Sequence, residues 1–377
     1  MNKKNKYKIA VVANATWNIY NFRLNILDIL LANNFEVVVI APVDKYIFYK
    51  EDFPEVKHYH LKNLDRDGTN PLQELILFKE FIKLYRKIKP DLVLHYTVKP
   101  NIYGGIAAGM LRIPSIAVVT GLGYAFIHKG LIQTITVLLY KLSAKFQKKM
   151  IFENTDDLKL FIDKKIINKD KGFSVKGCGV DLEYFSPSEN GKPDNNKIIF
   201  TFIGRLLYDK GVVEFVEAAK KVKEKQLNAE FWLLGEIDKN NPAMVKEEDL
   251  IEWVKNKTVI YHGFKQDIKK YIEKSDCIVL PSYREGMSRT ISEGLAMAKP
   301  VITTDTAGCR EAIDVGKNGY LVPVKEIDPL AEVMTKFINL SDKERKKMGD
   351  LGRLKAIKEF DDNIIAEQFL NIIRNIL

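Results

Sequence analysis

Short apolar runs alternate with helical stretches along almost the whole chain, and this alternation restricts the fold more than any other feature. Strand-like runs fall at residues 8–14, 36–42, 92–96, 115–121 and 150–154, and again at 198–204, 230–235, 259–264, 277–282, 300–305 and 319–323. Strand–helix–strand order needs crossover connections, hence parallel sheets in α/β layers. At 377 residues the chain is long for one hydrophobic core and suits two domains. Between the two sets of strands, residues 186–196 are rich in Pro, Gly and Asn with no apolar period and read as a linker. The expectation is two doubly wound domains, 1–185 and 197–360, facing a central cleft. A helix over 361–377 carries the stripe Ile364, Ile365, Phe369, Ile372 and Ile373, which must bury itself, against the first domain in this reading.

Composition removes several classes of function. The chain is 46% apolar and 29% charged, too apolar for a disordered protein. Cys178, Cys277 and Cys309 are isolated, so neither a disulfide framework nor a zinc site is indicated. The basic start (Lys3, Lys4, Lys6) leads into strand-like Ile9-Ala10-Val11-Val12 rather than a signal-peptide core. The longest uncharged run, 113–128, is broken by Pro114, Gly121 and Gly123, so no transmembrane helix is expected. A reducing, cytoplasmic setting fits these features. Asn14 closes the first strand, and the Ala13–Asn18 turn lacks the Gly-x-Gly-x-x-Gly of dinucleotide sites.

The net charge of +10 is unevenly spread: residues 1–190 hold 28 Lys and Arg against 19 Asp and Glu, and residues 191–377 hold 31 against 30. The densest segment, 129–149, carries Lys129, Lys141, Lys145, Lys148 and Lys149 and no acid. It also carries Leu131, Ile132, Ile135, Val137, Leu138, Leu139, Leu142 and Phe146 at helical spacing. Such a helix suits an anionic membrane surface, with Lys141, Lys145, Lys148 and Lys149 facing the lipid; a core helix with a solvated basic edge has the same pattern. Aromatic residues do not interleave with the cations, so nucleic acid is not expected as a partner.

Chemistry concentrates in the second half. The apolar run Cys277-Ile278-Val279-Leu280 is stopped by Pro281-Ser282, a Glu285-Gly286 turn follows, and a helix starts near Ser288. Glu285 and Glu293 then face the crevice at a parallel sheet's C-terminal edge, where open α/β sheets bind ligands. Carboxylates accept hydrogen bonds from sugar hydroxyls, and a helix start suits phosphate. Upstream, Gly204-Arg205 and Lys210-Gly211 flank another strand–helix turn, where a guanidinium and an ammonium can neutralise a diphosphate. Tyr261-His262-Gly263-Phe264 ends a further strand at that edge, suited either to a flat base or to plain core packing. Loop glutamates and exposed cations are commonly just solvated; their concurrence at successive strand ends favours a nucleotide-sugar site.

The ordered set Gly204-Arg205, Lys210-Gly211, Leu234-Gly235, His262-Gly263, Ser275-Asp276, Pro281-Ser282, Glu285-Gly286, Glu293-Gly294-Leu295-Ala296-Met297-Ala298, Pro300-Val301 and Gly319 resembles the retaining glycosyltransferases of family 4 (glycosyl transferases group 1). The resemblance implies the GT-B fold of two Rossmann-like domains, a UDP-sugar donor and neither metal nor other cofactor. It assigns Arg205 and Lys210 to the diphosphate, Glu293 to the ribose hydroxyls and Glu285 to the donor sugar. Arg205, Lys210 and Glu285 thus become the candidate catalytic residues, with Gly204, His262, Gly263, Gly286, Met287, Ser288 and Glu293 completing the donor site. In the first half, Ile19-Tyr20-Asn21-Phe22-Arg23 and Val119-Thr120-Gly121-Leu122-Gly123-Tyr124 resemble bacterial enzymes acting on undecaprenyl-diphosphate-linked sugars, among them an N-acetylgalactosaminyltransferase of N-glycosylation and O-antigen and capsule enzymes. This implies a lipid-linked saccharide acceptor, retaining transfer of a hexose or N-acetylhexosamine (best GalNAc), and a peripheral place on the inner face of the cytoplasmic membrane. Asn14, Arg23, His95, Thr120, Gly121 and Gly123 are the acceptor-side candidates, with His95 reading more readily as a structural strand-end histidine and Gly121 and Gly123 equally as a plain turn. Two departures stand out: the first loop lacks the family's paired glycines, and Thr120-Gly121-Leu122-Gly123 replaces a stretch where many members carry histidine. The competing readings are a UDP-N-acetylglucosamine 2-epimerase-like enzyme, a non-catalytic glycan- or lipid-binding remnant of the fold, and a nucleic-acid binder motivated by net charge.

Overall fold

A computed structural model describes residues 6–65, 68, 70–122, 130–188, 197–225, 228–239, 241 and 243–377. The chain forms two compact units: residues 1–178 with 362–377, and residues 179–361. Residues 189–196 of the expected linker lie outside the described residues.

The first unit holds β1 (Lys8–Val12), β2 (Glu36–Ala41), β3 (Lys57–His60), β4 (Leu92–Tyr96), β5 (Ser115–Val119), β6 (Lys149–Phe152) and β7 (Gly172–Ser174). They pair in parallel in the order β3-β2-β1-β4-β5-β6-β7. The order reverses at β1, as in a doubly wound sheet. Central strands are apolar on both faces because helices cover both; β4 and β5 are buried at every position. The sequence reading misses β3 and β7, which lie at the two edges. Lys57-His58-Tyr59-His60 is polar because an edge strand faces water, and Gly172-Phe173-Ser174 is too short to show a period. Helix Asp362–Arg374 packs here, burying Ile365, Phe369, Ile372 and Ile373 beside Ile26, Leu27 and Leu30, whereas Ile364 stays 38% exposed.

The second unit holds β8 (Ile198–Ile203), β9 (Ala229–Leu234), β10 (Ile260–Gly263), β11 (Cys277–Leu280), β12 (Val301–Thr304) and β13 (Gly319–Val322), all parallel in the order β10-β9-β8-β11-β12-β13. Its centre is aromatic: Phe200 stacks on Phe231 at 5.4 Å and meets Phe337 edge-on at 5.7 Å. Because β8 lies between β9 and β11, the loops leaving these three strands emerge side by side at one sheet edge.

The basic segment departs from the core-helix picture of it. In helix Leu131–Phe146 the buried residues are Tyr140, Ser143 and Ala144, not the long apolar set. A π-helical turn, Pro100–Gly104, supplies the reason: the Asn101 carbonyl accepts hydrogen bonds from Ser143 Oγ (2.6 Å) and Gln147 Nε2 (2.5 Å). These polar bonds turn the small-residue face inward. Leu131, Ile132, Ile135, Leu138, Leu142 and Phe146 are left exposed, Leu131 and Leu138 by 76% and 60%. A buried core helix is therefore the wrong description of this segment.

Candidate active site

Backbone close approach at the second unit's sheet edge fixes the site. After β8, Leu206 and Leu207 are buried anchors, leaving Arg205 and the turn Tyr208–Lys210 to project. Gly211 then takes φ +72°, and a Cβ there would lie 2.0 Å from the Pro281 carbonyl oxygen. Only glycine permits that approach, which sets Lys210 against the turn leaving β11. The β11 turn is held from three sides. Tyr283 N–H donates to the Asp209 carbonyl (2.9 Å), Glu285 N–H to Ala307 (3.0 Å), and the Tyr283 hydroxyl to Glu214 Oε1 (2.6 Å). Thr304 Oγ1 donates to the Ser282 carbonyl and Thr306 Oγ1 to that of Tyr283.

Lys210 and Glu285 meet as a result. Lys210 Nζ donates to both carboxylate oxygens of Glu285, at 2.5 and 2.7 Å, and Ser282 Oγ donates to one of them at 2.5 Å. The helix expected from Ser288 spans Arg289–Ala296, with Ser288 as its cap accepting from the Ile291 N–H. On it Glu293 is buried and takes a hydrogen bond from Arg289 Nε at 2.6 Å. Burial raises the Glu293 carboxyl above its ordinary value, and the Arg289 charge offsets only part of this. Arg205 is paired differently, donating to Asp238 Oδ2 at 2.7 Å. Lys210 and Glu285 are thus in contact, while Arg205 and Glu293 are held by separate partners. Gly204 directly follows β8; Gly286 and Met287 lie on the turn, Met287 packed against the core. His262 and Gly263 end β10, where the His262 ring meets Trp232 edge-on at 4.9 Å and burial lowers its pKa.

Two acceptor-side expectations in the first unit need correction. His95 is fully buried: its Nε2 bonds the Tyr85 hydroxyl at 2.8 Å, and desolvation lowers its pKa to about 3. It is a neutral core residue. Arg23 is 3% exposed, lies over the Tyr96 ring at 4.2 Å and pairs with Glu153 at 3.2 Å. Its charge is used inside the fold, by a partner 130 residues away. Asn14, Thr120 and Gly121 are half-buried at strand ends, and Gly123 lies outside the described residues. Of the basic set, Lys145 and Lys148 are exposed, Lys141 is half-buried, and Lys149 donates to the Asp170 carbonyl at 2.6 Å.

Sequence reasoning missed Asp238, Tyr283 and Glu214. The signal for Asp238 was an acid following a strand next to β8. Tyr283 and Glu214 gave none, since 69 residues separate them. Among the described residues no cluster of three or more His, Cys, Asp or Glu could hold a metal.

Comparison with known proteins matches this geometry to a family. Residues 186–355 match Glycosyl transferases group 1, and residues 8–154 match Glycosyl transferase 4-like. The chain is 30% identical to the N,N'-diacetylbacillosaminyl-diphospho-undecaprenol alpha-1,3-N-acetylgalactosaminyltransferase of Campylobacter jejuni, over 97% of this chain and 98% of that one. It is 28% identical to the UDP-Gal:alpha-D-GlcNAc-diphosphoundecaprenol alpha-1,3-galactosyltransferase of Escherichia coli, over 74% of each. A glycosyltransferase from Rickettsia africae superposes with a TM-score of 0.81 at 21% identity, over 99% of both chains, and shares the GT-B fold. The chain belongs to the group 1 glycosyltransferases and is a glycosyltransferase with the GT-B fold.

Proposed function

We propose that the chain transfers a hexose or N-acetylhexosamine, best GalNAc, from a UDP-sugar to an undecaprenyl-diphosphate-linked saccharide, with retention of the anomeric configuration. The observation that carries this reading is the contact between Lys210 and Glu285, brought together from two adjacent strand ends. The names of the Campylobacter and Escherichia relatives, which act on diphospho-undecaprenol-linked sugars, support the acceptor class, and the latter's UDP-Gal supports the donor class. Arg205, Lys210 and the helix start at Ser288 stabilise charge growing on the leaving diphosphate, a preorganised electrostatic role without a metal. Glu285 orients the sugar, and Glu293 binds the ribose hydroxyls.

The test is UDP release and product anomeric configuration across a panel of UDP-sugars with a diphospho-undecaprenol-linked acceptor. Lys210→Ala should cut turnover by about 10² while the protein stays folded. Near-normal transfer by that variant removes the diphosphate assignment, and acceptor-independent conversion of UDP-N-acetylglucosamine would mark a 2-epimerase instead. Full activity in a chelator is expected.

The place of work in this reading is the inner leaflet of the cytoplasmic membrane. No helix among the described residues is long and apolar enough to span a bilayer. The exposed stripe Leu131, Ile135, Leu138 and Leu142, with Lys145 and Lys148 beyond it, suits a helix lying in the interface. Each cation near an anionic surface contributes about 1 kcal/mol. Sedimentation with anionic vesicles should be lost in Leu138→Glu and weakened by salt; equal sedimentation with neutral vesicles would count against it.

A further inference from the structure

We propose that Asp238 is a built-in counter-anion of the donor site, which occupies the Arg205 guanidinium until a nucleoside diphosphate displaces it and so holds diphosphate affinity down. The proposal rests on the donor-site reading above. Glu236, Ala243 and Val245, which follow β9, are laced to the loop leaving β8 by backbone bonds: Leu206 N–H to Glu236 (2.9 Å), Tyr208 N–H to Ala243 (2.7 Å) and Val245 N–H to Leu206 (3.1 Å). Buried Leu206 and Val245 anchor the pair of loops. Asp238 is therefore delivered to Arg205 by the backbone, and the ion pair is not what holds the loops together.

Three cations at this edge each have a carboxylate partner, but the partners differ in kind. Glu285 is fixed by Ser282 as well as Lys210, and Glu293 is buried. The Asp238 carboxylate has Arg205 as its one partner among the described residues, at 2.7 Å, with side-chain exposures of 40% for Arg205 and 25% for Asp238. An exposed pair of this kind is weak and exchanges readily. A diphosphate offers the guanidinium a more highly charged acceptor of matching geometry. Once displaced, Asp238 stands beside that anion as a like charge and favours its release.

Calorimetric titration of UDP into the wild-type protein and into Asp238→Asn tests this. The variant should bind UDP about two- to fivefold more tightly, the range set by a partly exposed ion pair. The gain should shrink with added salt, disappear in an Arg205→Ala background and be absent for uridine, which has no phosphate. Equal or weaker UDP binding overturns the proposal, as does a gain that persists for uridine or without Arg205. A fall in melting temperature for both Asp238→Asn and Asp238→Ser assigns the carboxylate to loop stability and overturns it too. Failure of the wild-type protein to bind UDP overturns the donor-site reading itself, a result distinct from equal binding by the two proteins.

Discussion

The two sheet edges share one architecture and use their charges in opposite ways. In the first unit, Arg23, Glu153 and His95 are withdrawn from solvent and paired with one another or with a tyrosine, with His95 Nδ1 lacking a partner among the described residues. In the second, Arg205 and Lys210 are held by carboxylates yet remain partly exposed. A polar residue at a strand end is therefore available for chemistry only where the crossover elements leave it uncovered. The second unit leaves it so by bringing backbones together at Gly211, and at Gly308, which has φ +75° and where a Cβ would lie 2.4 Å from the Glu285 carbonyl oxygen.

The contrast breaks most visibly at Arg23. Arg23→Ala leaves Glu153 buried without its counter-charge and should cost about 3 kcal/mol of stability, read by denaturant unfolding. Turnover per folded molecule should hold, the reverse of the pattern for Lys210→Ala. A smaller effect is expected at Tyr283→Phe, which deletes a hydrogen bond to a carboxylate whose second oxygen has no partner among the described residues. About 1.5 kcal/mol of stability should be lost, with a raised KM for donor as the Glu285 turn loosens. Unchanged KM would show that the Ala307 and Asp209 contacts suffice.

At neutral pH the titrations contribute least, and in pH dependence the two edges differ in sign. His95 has its folded pKa depressed to about 3 from 6.5, so the unfolded chain binds more protons between those values and stability falls as pH drops below about 6.5. His95→Gln should flatten that acid limb of melting temperature against pH. Glu293 is shifted upward from 4.5, so the folded state holds the extra proton and stability falls as pH rises through that window. Glu293→Gln should flatten the rising-pH limb while losing donor affinity. Parallel curves for a variant and the wild-type protein would refute the corresponding shift.

What could be read beforehand follows from which interactions are local. Covered strands such as β4, β5, β11 and β12 were legible because a parallel strand buried on both faces is apolar throughout; β3 and β7 were not, because one is a polar edge and the other is only three residues long. Ser288 as a helix cap and Glu285 after a strand stop follow from neighbours within a few residues. Arg23 was placed on the acceptor side, and His95 left between a structural and an acceptor-side reading, because their burial depends on Glu153 and Tyr85, which only the folded topology brings close. Asp238 had only the weak signal of an acid after a strand; its pairing with Arg205 depends on two loops lacing together through main-chain bonds, which no side-chain pattern encodes.

Helix Asp362–Arg374 carries a consequence for biosynthesis. Phe369 stacks on Tyr96 of β4 at 6.4 Å, and the Asn25 side chain donates to the Asp362 carbonyl at 3.1 Å. The piece that seals the amino-terminal core is thus translated after the entire second unit. On the ribosome that core must wait, incompletely closed, until the second unit has been made, and a nascent chain stalled before residue 362 should remain a chaperone client.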